Sequence, residues 1–228
     1  MSDTSQRVLL VGATGLIGRA VIEQAKTRGD MRLVALARRE MALPPGARLE
    51  MLIAPPADWG DAIARMRPDA VICALGTTWN KAGRDRDAFR AVDHDLVLQV
   101  AEAAKEAGSR QFIAVSSVGA NTGSKAFYLR VKGEVERDLA KLRFHRLDLL
   151  RPGLLRGERG SDRRLGERIG IVMAPLTDLF LQGDKRKYRS IAAATVAQAA
   201  IGLLSEKAQG RFVHENPMIL RAARRVDG

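Results

Sequence analysis

The segment Gly12-Ala13-Thr14-Gly15-Leu16-Ile17-Gly18 constrains this chain more than any other. It follows a short apolar run, Arg7-Val8-Leu9-Leu10-Val11, and opens a pattern with apolar residues at 16, 17, 20, 21 and 25, which is one face of a helix. A glycine at the end of a strand permits a tight turn, because it enters left-handed backbone without a Cβ clash. A second glycine lets a pyrophosphate approach the backbone, and a third lets the helix pack closely on the sheet. The free N–H groups at the helix start then face the phosphates. Gly12, Thr14, Gly15, Leu16, Ile17 and Gly18 are therefore the candidate cradle for a dinucleotide. In a chain with 21 glycines the triplet alone is a weak signal. A strand before it, a helix after it and a second strand at the proper distance make it a strong one.

The remaining pattern alternates between strand-sized and helix-sized runs. Strands are expected over Arg32–Ala37, Leu49–Ile53, Ala70–Leu75, Gln111–Val115, His145–Leu150 and Arg211–His214. Helices are expected over Leu16–Arg28, Trp59–Met66 with Asp58 as its cap, Asp87–Ala107, Phe127–Leu142 and Ala192–Leu204, with a basic tail at the end. Such alternation implies an α/β fold, a doubly wound parallel sheet of Rossmann type. With 228 residues and no linker or repeat, residues 1–228 read as one domain. A small irregular substrate region falls within about 153–191 and 205–228. Ligands in such sheets bind beyond the carboxyl ends of the strands, which directs attention to Gly12, Ala37, Leu75, Ser116 and Pro152.

The end of the second strand chooses the cofactor. An acidic side chain there would accept from the adenosine ribose of NAD, whereas the chain has Ala37-Arg38-Arg39. A guanidinium suits the 2′-phosphate of NADP through bidentate contacts, with Arg38 the first choice and Arg39 the second. The expectation is NADP(H) in preference to NAD(H), with Glu40 slightly late for the NAD role. A net charge of +12 likewise favours a small-molecule substrate that is anionic. The basic residues are spread along the chain and aromatic content is only 4%, so nucleic acid binding is not favoured. No apolar run approaches the roughly 18 residues of a membrane span. The polar start, Met1 to Gln6, does not read as a secretory signal, and the lone Cys73 lies in an apolar run as a buried core residue. A cytoplasmic protein is expected.

Tyr128 precedes Lys132 by one helical turn, so both side chains share a face. An ammonium beside a phenol favours the phenolate, as proton transfer near neutral pH requires. Ser116-Ser117, just after the preceding strand, offers a hydroxyl for a carbonyl or alcohol oxygen. Together with Gly12–Gly18 and Arg151-Pro152-Gly153, these residues resemble the short-chain dehydrogenase/reductase superfamily. Leu75-Gly76-Thr77-Thr78, Lys81-Ala82-Gly83 and Tyr128 to Glu136 are similar to its atypical members near the Tat-interacting protein. The resemblance implies Tyr128 as acid/base, Lys132 on the nicotinamide ribose, and Ser117 or Ser116 positioning the substrate oxygen. It also implies Leu75, Gly76 and Thr77 along the cofactor, and Pro152 to Leu154 near the nicotinamide. Two departures stand out: Ile53-Ala54-Pro55-Pro56 has no Asp for the adenine, and the Ser117-to-Tyr128 gap is short. The alternative is an NADP(H)-binding regulatory or scaffold protein without turnover. Many members of the superfamily pair through surface helices, so a homodimer is open.

Other residues invite weaker readings. His94 reads as a solvated helix histidine, and no cluster around His94, His145 or His214 supports a metal site. Trp79 would either floor a pocket or simply pack. The Arg-rich stretch from Arg156 to Arg168 reads as a solvated loop, or as a lid attracting an anionic substrate.

Overall fold

A computed structural model describes residues 5–47, 49–157 and 188–226. Its centre is a seven-stranded, all-parallel sheet in the order β3-β2-β1-β4-β5-β6-β9. The strands are β1 (Gln6–Val11), β2 (Met31–Ala37), β3 (Glu50–Ile53), β4 (Ala70–Cys73), β5 (Gln111–Val115), β6 (Arg146–Arg151) and β9 (Gly210–Glu215). A two-stranded parallel ribbon, β7 (Leu155–Arg156) with β8 (Ile191–Ala192), lies beyond β6. The helices are α1 (Leu16–Ala25), α2 (Trp59–Met66), α3 (Arg86–Arg90), α4 (Leu96–Glu106), α5 (Phe127–Lys141), α6 (Ala193–Leu203) and α7 (Asn216–Ala223).

The strands are continuous apolar runs because both faces of the sheet are covered. Alternate residues of β1 enter opposite layers: Val8 and Leu10 pack with α1, α6 and α7, while Leu9 and Val11 pack with α2, α4 and α5. Between β1 and β4 the chain's winding reverses direction. That switch point opens a crevice at the carboxyl ends of the two strands, where the first turn lies.

Four readings of the sequence need correction. The helix expected over Asp87–Ala107 is α3, then a π-helical segment Ala91–Asp95, then α4. The π turn spans only five residues inside a long apolar pattern, so the pattern could not reveal it. Asp58 stands at the α2 N-cap without a side-chain capping bond, because a 3-10 turn, Pro56–Asp58, occupies that entry. The α1 helix stops at Ala25, three residues before Arg28. What reads as a basic tail is α7, with Pro217 in its first turn and Ile219, Ala222 and Ala223 buried against α6. The Arg-rich stretch beyond Gly157, and most of the expected substrate region, lie outside the described residues.

Candidate active site

The first turn has the shape that a dinucleotide needs. Gly12 has φ +89°, and a Cβ there would lie 2.5 Å from Ala74 C and O. At Gly18 a Cβ would run into the Gly12 carbonyl and come within 2.7 Å of Ala13 Cα, which lets α1 cross the end of β1 closely. Gly15 is different: its Cβ would meet only the Gly12 carbonyl, at 3.2 Å, and Ala74 O at 3.9 Å. Thr14 and Gly15 are exposed, no side chain caps α1, and its first turn carries no acidic residue. An uncapped helix start of this kind, here at Leu16 and Ile17, can hold an anion through its N–H groups. Arg38 and Arg39 follow β2 and are exposed on the same carboxyl edge of the sheet.

A second cluster forms where β4, β5 and β6 end. Lys132 on α5 is only 5% exposed, and its Nζ lies 2.8 Å from Asp93 Oδ1. Asp93, 1% exposed, belongs to the π-helical segment, and its Oδ2 accepts a hydrogen bond from the Thr77 N–H at 2.7 Å. One carboxylate therefore ties the loop after β4 to the α5 lysine. Burial pushes the Lys132 ammonium down, but Asp93 and the nearby Tyr128 outweigh it and hold the pKa above the usual lysine value. Gly76 lies over this pair: a Cβ there would be 3.4 Å from Asp93 Oδ1 and 3.9 Å from Lys132 Nζ. One turn before Lys132, Tyr128 is exposed, its ring edge-on to Phe89 at 5.7 Å.

The two serines differ in their partners. Ser116 is buried and its hydroxyl donates to Glu136, whose carboxylate also accepts from Arg151 at the end of β6, Nε to Oε1 2.9 Å. Ser117 is half-buried, with a long 3.4 Å contact to Val118 O. Tyr128, Lys132 and Glu136 recur every four residues, so one face of α5 carries the phenol, the ammonium and the carboxylate in line. Gly133 beside Lys132 lets α5 pack closely on the loop after β5, because a Cβ there would strike the backbone of Asn121 and Thr122. On the other rim, the Val118 N–H donates to Pro152 O at 3.0 Å, while Leu154 is exposed.

Asp93, Glu136 and Arg151 are the residues that sequence reasoning missed. Asp93 stood in plain view beside His94, but only a π turn aims it inward. His94 itself is buried, not solvated: Nδ1 lies 2.7 Å from Asp95 Oδ1 and Nε2 3.0 Å from Asp138 Oδ2 on α5. Cys73 is buried as expected, and burial pushes its thiol up to about 11.

A parallel sheet ordered this way, with a glycine turn at its switch point, defines a Rossmann-type fold of the NAD(P)-binding class. The chain belongs to the family described as NAD(P)H-binding, which matches residues 12–207. Among curated proteins it is 37% identical over 171 residues to "Protein FMP52, mitochondrial" of Eremothecium gossypii, covering 74% of this chain and 75% of that one. The protein of the same name from Candida albicans is 32% identical over 209 residues, covering 89% and 90%. Among solved structures, a putative NAD-dependent epimerase/dehydratase from Bacillus halodurans superposes with TM-score 0.70 at 22% identity, covering 96% of this chain and 99% of that one. MoeE5 in complex with UDP-glucose and NAD gives TM-score 0.68 at 17% identity, covering 91% and 74%. These last two likenesses concern the fold.

The relatives' names correct the expectation of a cytoplasmic protein, because they are called mitochondrial. That expectation rested on a lone cysteine and a polar start. A buried thiol is equally stable in any reducing compartment, and mitochondrial targeting segments are basic and amphipathic rather than apolar.

Proposed function

We propose that this chain is an NADP(H)-dependent oxidoreductase that interconverts a small carbonyl compound and its alcohol, with Tyr128 as acid/base. The observation that carries the reading is Lys132, buried and charged against Asp93, one helical turn from a phenol that faces solvent. The Gly12–Gly18 turn, with Thr14, Leu16 and Ile17, would hold the pyrophosphate. Arg38, and after it Arg39, would take the 2′-phosphate. Leu75, Gly76 and Thr77, with Pro152 and Leu154, would hold the nicotinamide end. When bound, the cofactor supplies a hydride.

In the reducing direction the substrate's carbonyl carbon gains that hydride while Tyr128 gives its proton to the oxygen. The C=O π bond becomes a C–O–H group, its two electrons coming from the hydride that a bound NADPH would supply, and water restores the Tyr128 proton. The Lys132 ammonium offsets the phenolate charge through the step. Ser117, bound to nothing stronger than its long contact with Val118 O, orients the substrate oxygen. Ser116 supports it from below, since its hydroxyl is committed to Glu136.

Two measurements test the reading. Tyr128→Phe lowers kcat by about 10²–10⁴-fold and leaves NADPH affinity intact. Arg38→Ala weakens NADPH by roughly 10- to 100-fold, the loss of a charge-assisted contact, and leaves NADH unchanged. Equal affinity of the parent chain for NADH and NADPH by titration would remove the NADP assignment. NADPH binding with no carbonyl compound turned over would favour a cofactor-responsive scaffold.

A further inference from the structure

The chain has ten aromatic residues (six Phe, two Tyr, two Trp), and four of them gather at one place. Trp79 from the loop after β4, Phe89 from α3, and Phe127 and Tyr128 from the start of α5 pack tilted or edge-on with ring centroids 5.7–6.3 Å apart. Phe89 is buried at the base of this group, whereas Trp79 and Tyr128 are 41% and 42% exposed. None of the four belongs to the apolar layers on either side of the sheet. Phe89 is a buried core side chain, whereas the fold leaves Trp79 open beside Tyr128, the proposed proton donor. Two guanidinium groups extend the surface, Arg86 at 5.4 Å and Arg130 at 5.8 Å from the Phe127 centroid. Arg130 is also tied to Ser124 O.

Ring faces and edges set in this way attract another flat π-system by offset or edge-to-face contact, and a saturated body of similar size gains only its apolar area. A guanidinium plane stacked at the border continues the same surface. We propose that Trp79 and Phe127, backed by the buried Phe89, form the wall against which the substrate lies, so that the compound taken beside Tyr128 is a planar aromatic aldehyde or ketone. This substrate class rests on the reading of Tyr128 as the acid/base, but binding can be measured without turnover.

Two matched probes separate the alternatives: 2-naphthalenemethanol, an aromatic product, and its saturated decalin counterpart. With NADPH present, which cannot react with an alcohol, calorimetry is expected to give at least about tenfold tighter binding for the aromatic alcohol. The same alcohol quenches tryptophan emission through Trp79, since Trp59 is buried and hydrogen-bonded to Ala54 O. Trp79→Leu weakens the calorimetric affinity about tenfold, while Trp79→Phe, which keeps a ring, restores most of it. Equal affinity for the two alcohols, or an unchanged affinity in a folded Trp79→Leu protein, overturns the proposal. Tighter binding of UDP-glucose than of the naphthyl alcohol does the same. Aromatic binding that depends on Trp79, without NADPH oxidation by 2-naphthaldehyde, upholds the wall and removes only the redox reading. Oxidation that proceeds equally with the aromatic and decalin aldehydes upholds the redox reading and removes the wall.

Discussion

Asp93 is the residue on which the charge of the site depends. It is buried, it faces a buried ammonium, and its other oxygen holds the Thr77 N–H. Removing one partner of a buried ion pair costs about 3–5 kcal/mol, because the other charge is left without compensation. The pKa of Lys132 is raised in the native chain, so its contribution to stability is present below about pH 10, the unfolded lysine value. That contribution is lost as pH rises through the native value. In Asp93→Ala the unpaired, buried lysine has its pKa lowered instead, and folding then favours the neutral amine. The destabilisation of Asp93→Ala is thus greatest at pH 7 and shrinks towards pH 10. Chemical denaturation at the two pH values checks this; an equal loss at both would assign the effect to lost packing. Asp93→Asn retains an acceptor for Thr77 and should lose less.

Among the elements, the pairing of β5, β6 and β9 is fixed by polar groups as well as by apolar alternation. Asp148 on β6 is fully buried and accepts from Arg146 (2.7 Å), His214 on β9 (2.9 Å) and Gln111 on β5 (3.1 Å). Gln111 and Arg146 also reach the Leu203 and Ala208 carbonyls, which closes the network around the end of α6. Burial pushes the Asp148 carboxyl up, yet the hydrogen bonds from His214, Arg146 and Gln111 outweigh it and hold the pKa below the ordinary value. A depressed carboxylate contributes stability that is complete above the unfolded value, about pH 4, and that disappears as pH falls through the native one. Asp148→Asn should cost about 3–5 kcal/mol at neutral pH. In urea titrations the gap to the parent chain narrows below pH 4. A gap that is constant with pH would contradict the charge assignment. The α5 helix works by the same logic at the other, carboxyl end of β5 and β6, where Glu136 joins Ser116 to Arg151.

For the whole molecule, the +12 charge makes a field that favours an anionic dinucleotide. A ligand that binds only the native state stabilises it by about 2.7 kcal/mol at 100 times its Kd. NADPH at that level should therefore raise the Tm by several degrees. The 2′-phosphate adds charge that salt screens, so NADPH affinity falls more steeply than NADH affinity between low and high salt. Thermal melts with each cofactor at two ionic strengths test this. Identical salt dependence would mean that the extra phosphate meets no cation of the protein.

The fold and the first turn were legible in the sequence because they depend on local information. Strand runs, helix periods and the three glycines are properties of neighbouring residues, and a Cβ at Gly12 or Gly18 is excluded by backbone only a few residues away or on the next strand. Tyr128 and Lys132 could be paired for the same reason, being one helical turn apart. What surrounds them could not be read this way. Asp93 reaches Lys132 from 39 positions away, and only because a π turn rotates it inward. Ser116 is withdrawn from Ser117's surroundings by Glu136, 20 residues on, and the aromatic wall is assembled from three separate elements. Such contacts arise when the layers close over the sheet. Local periodicity determined which elements form, and the tertiary packing decided which side chains remain charged, committed or open around the glycine turn.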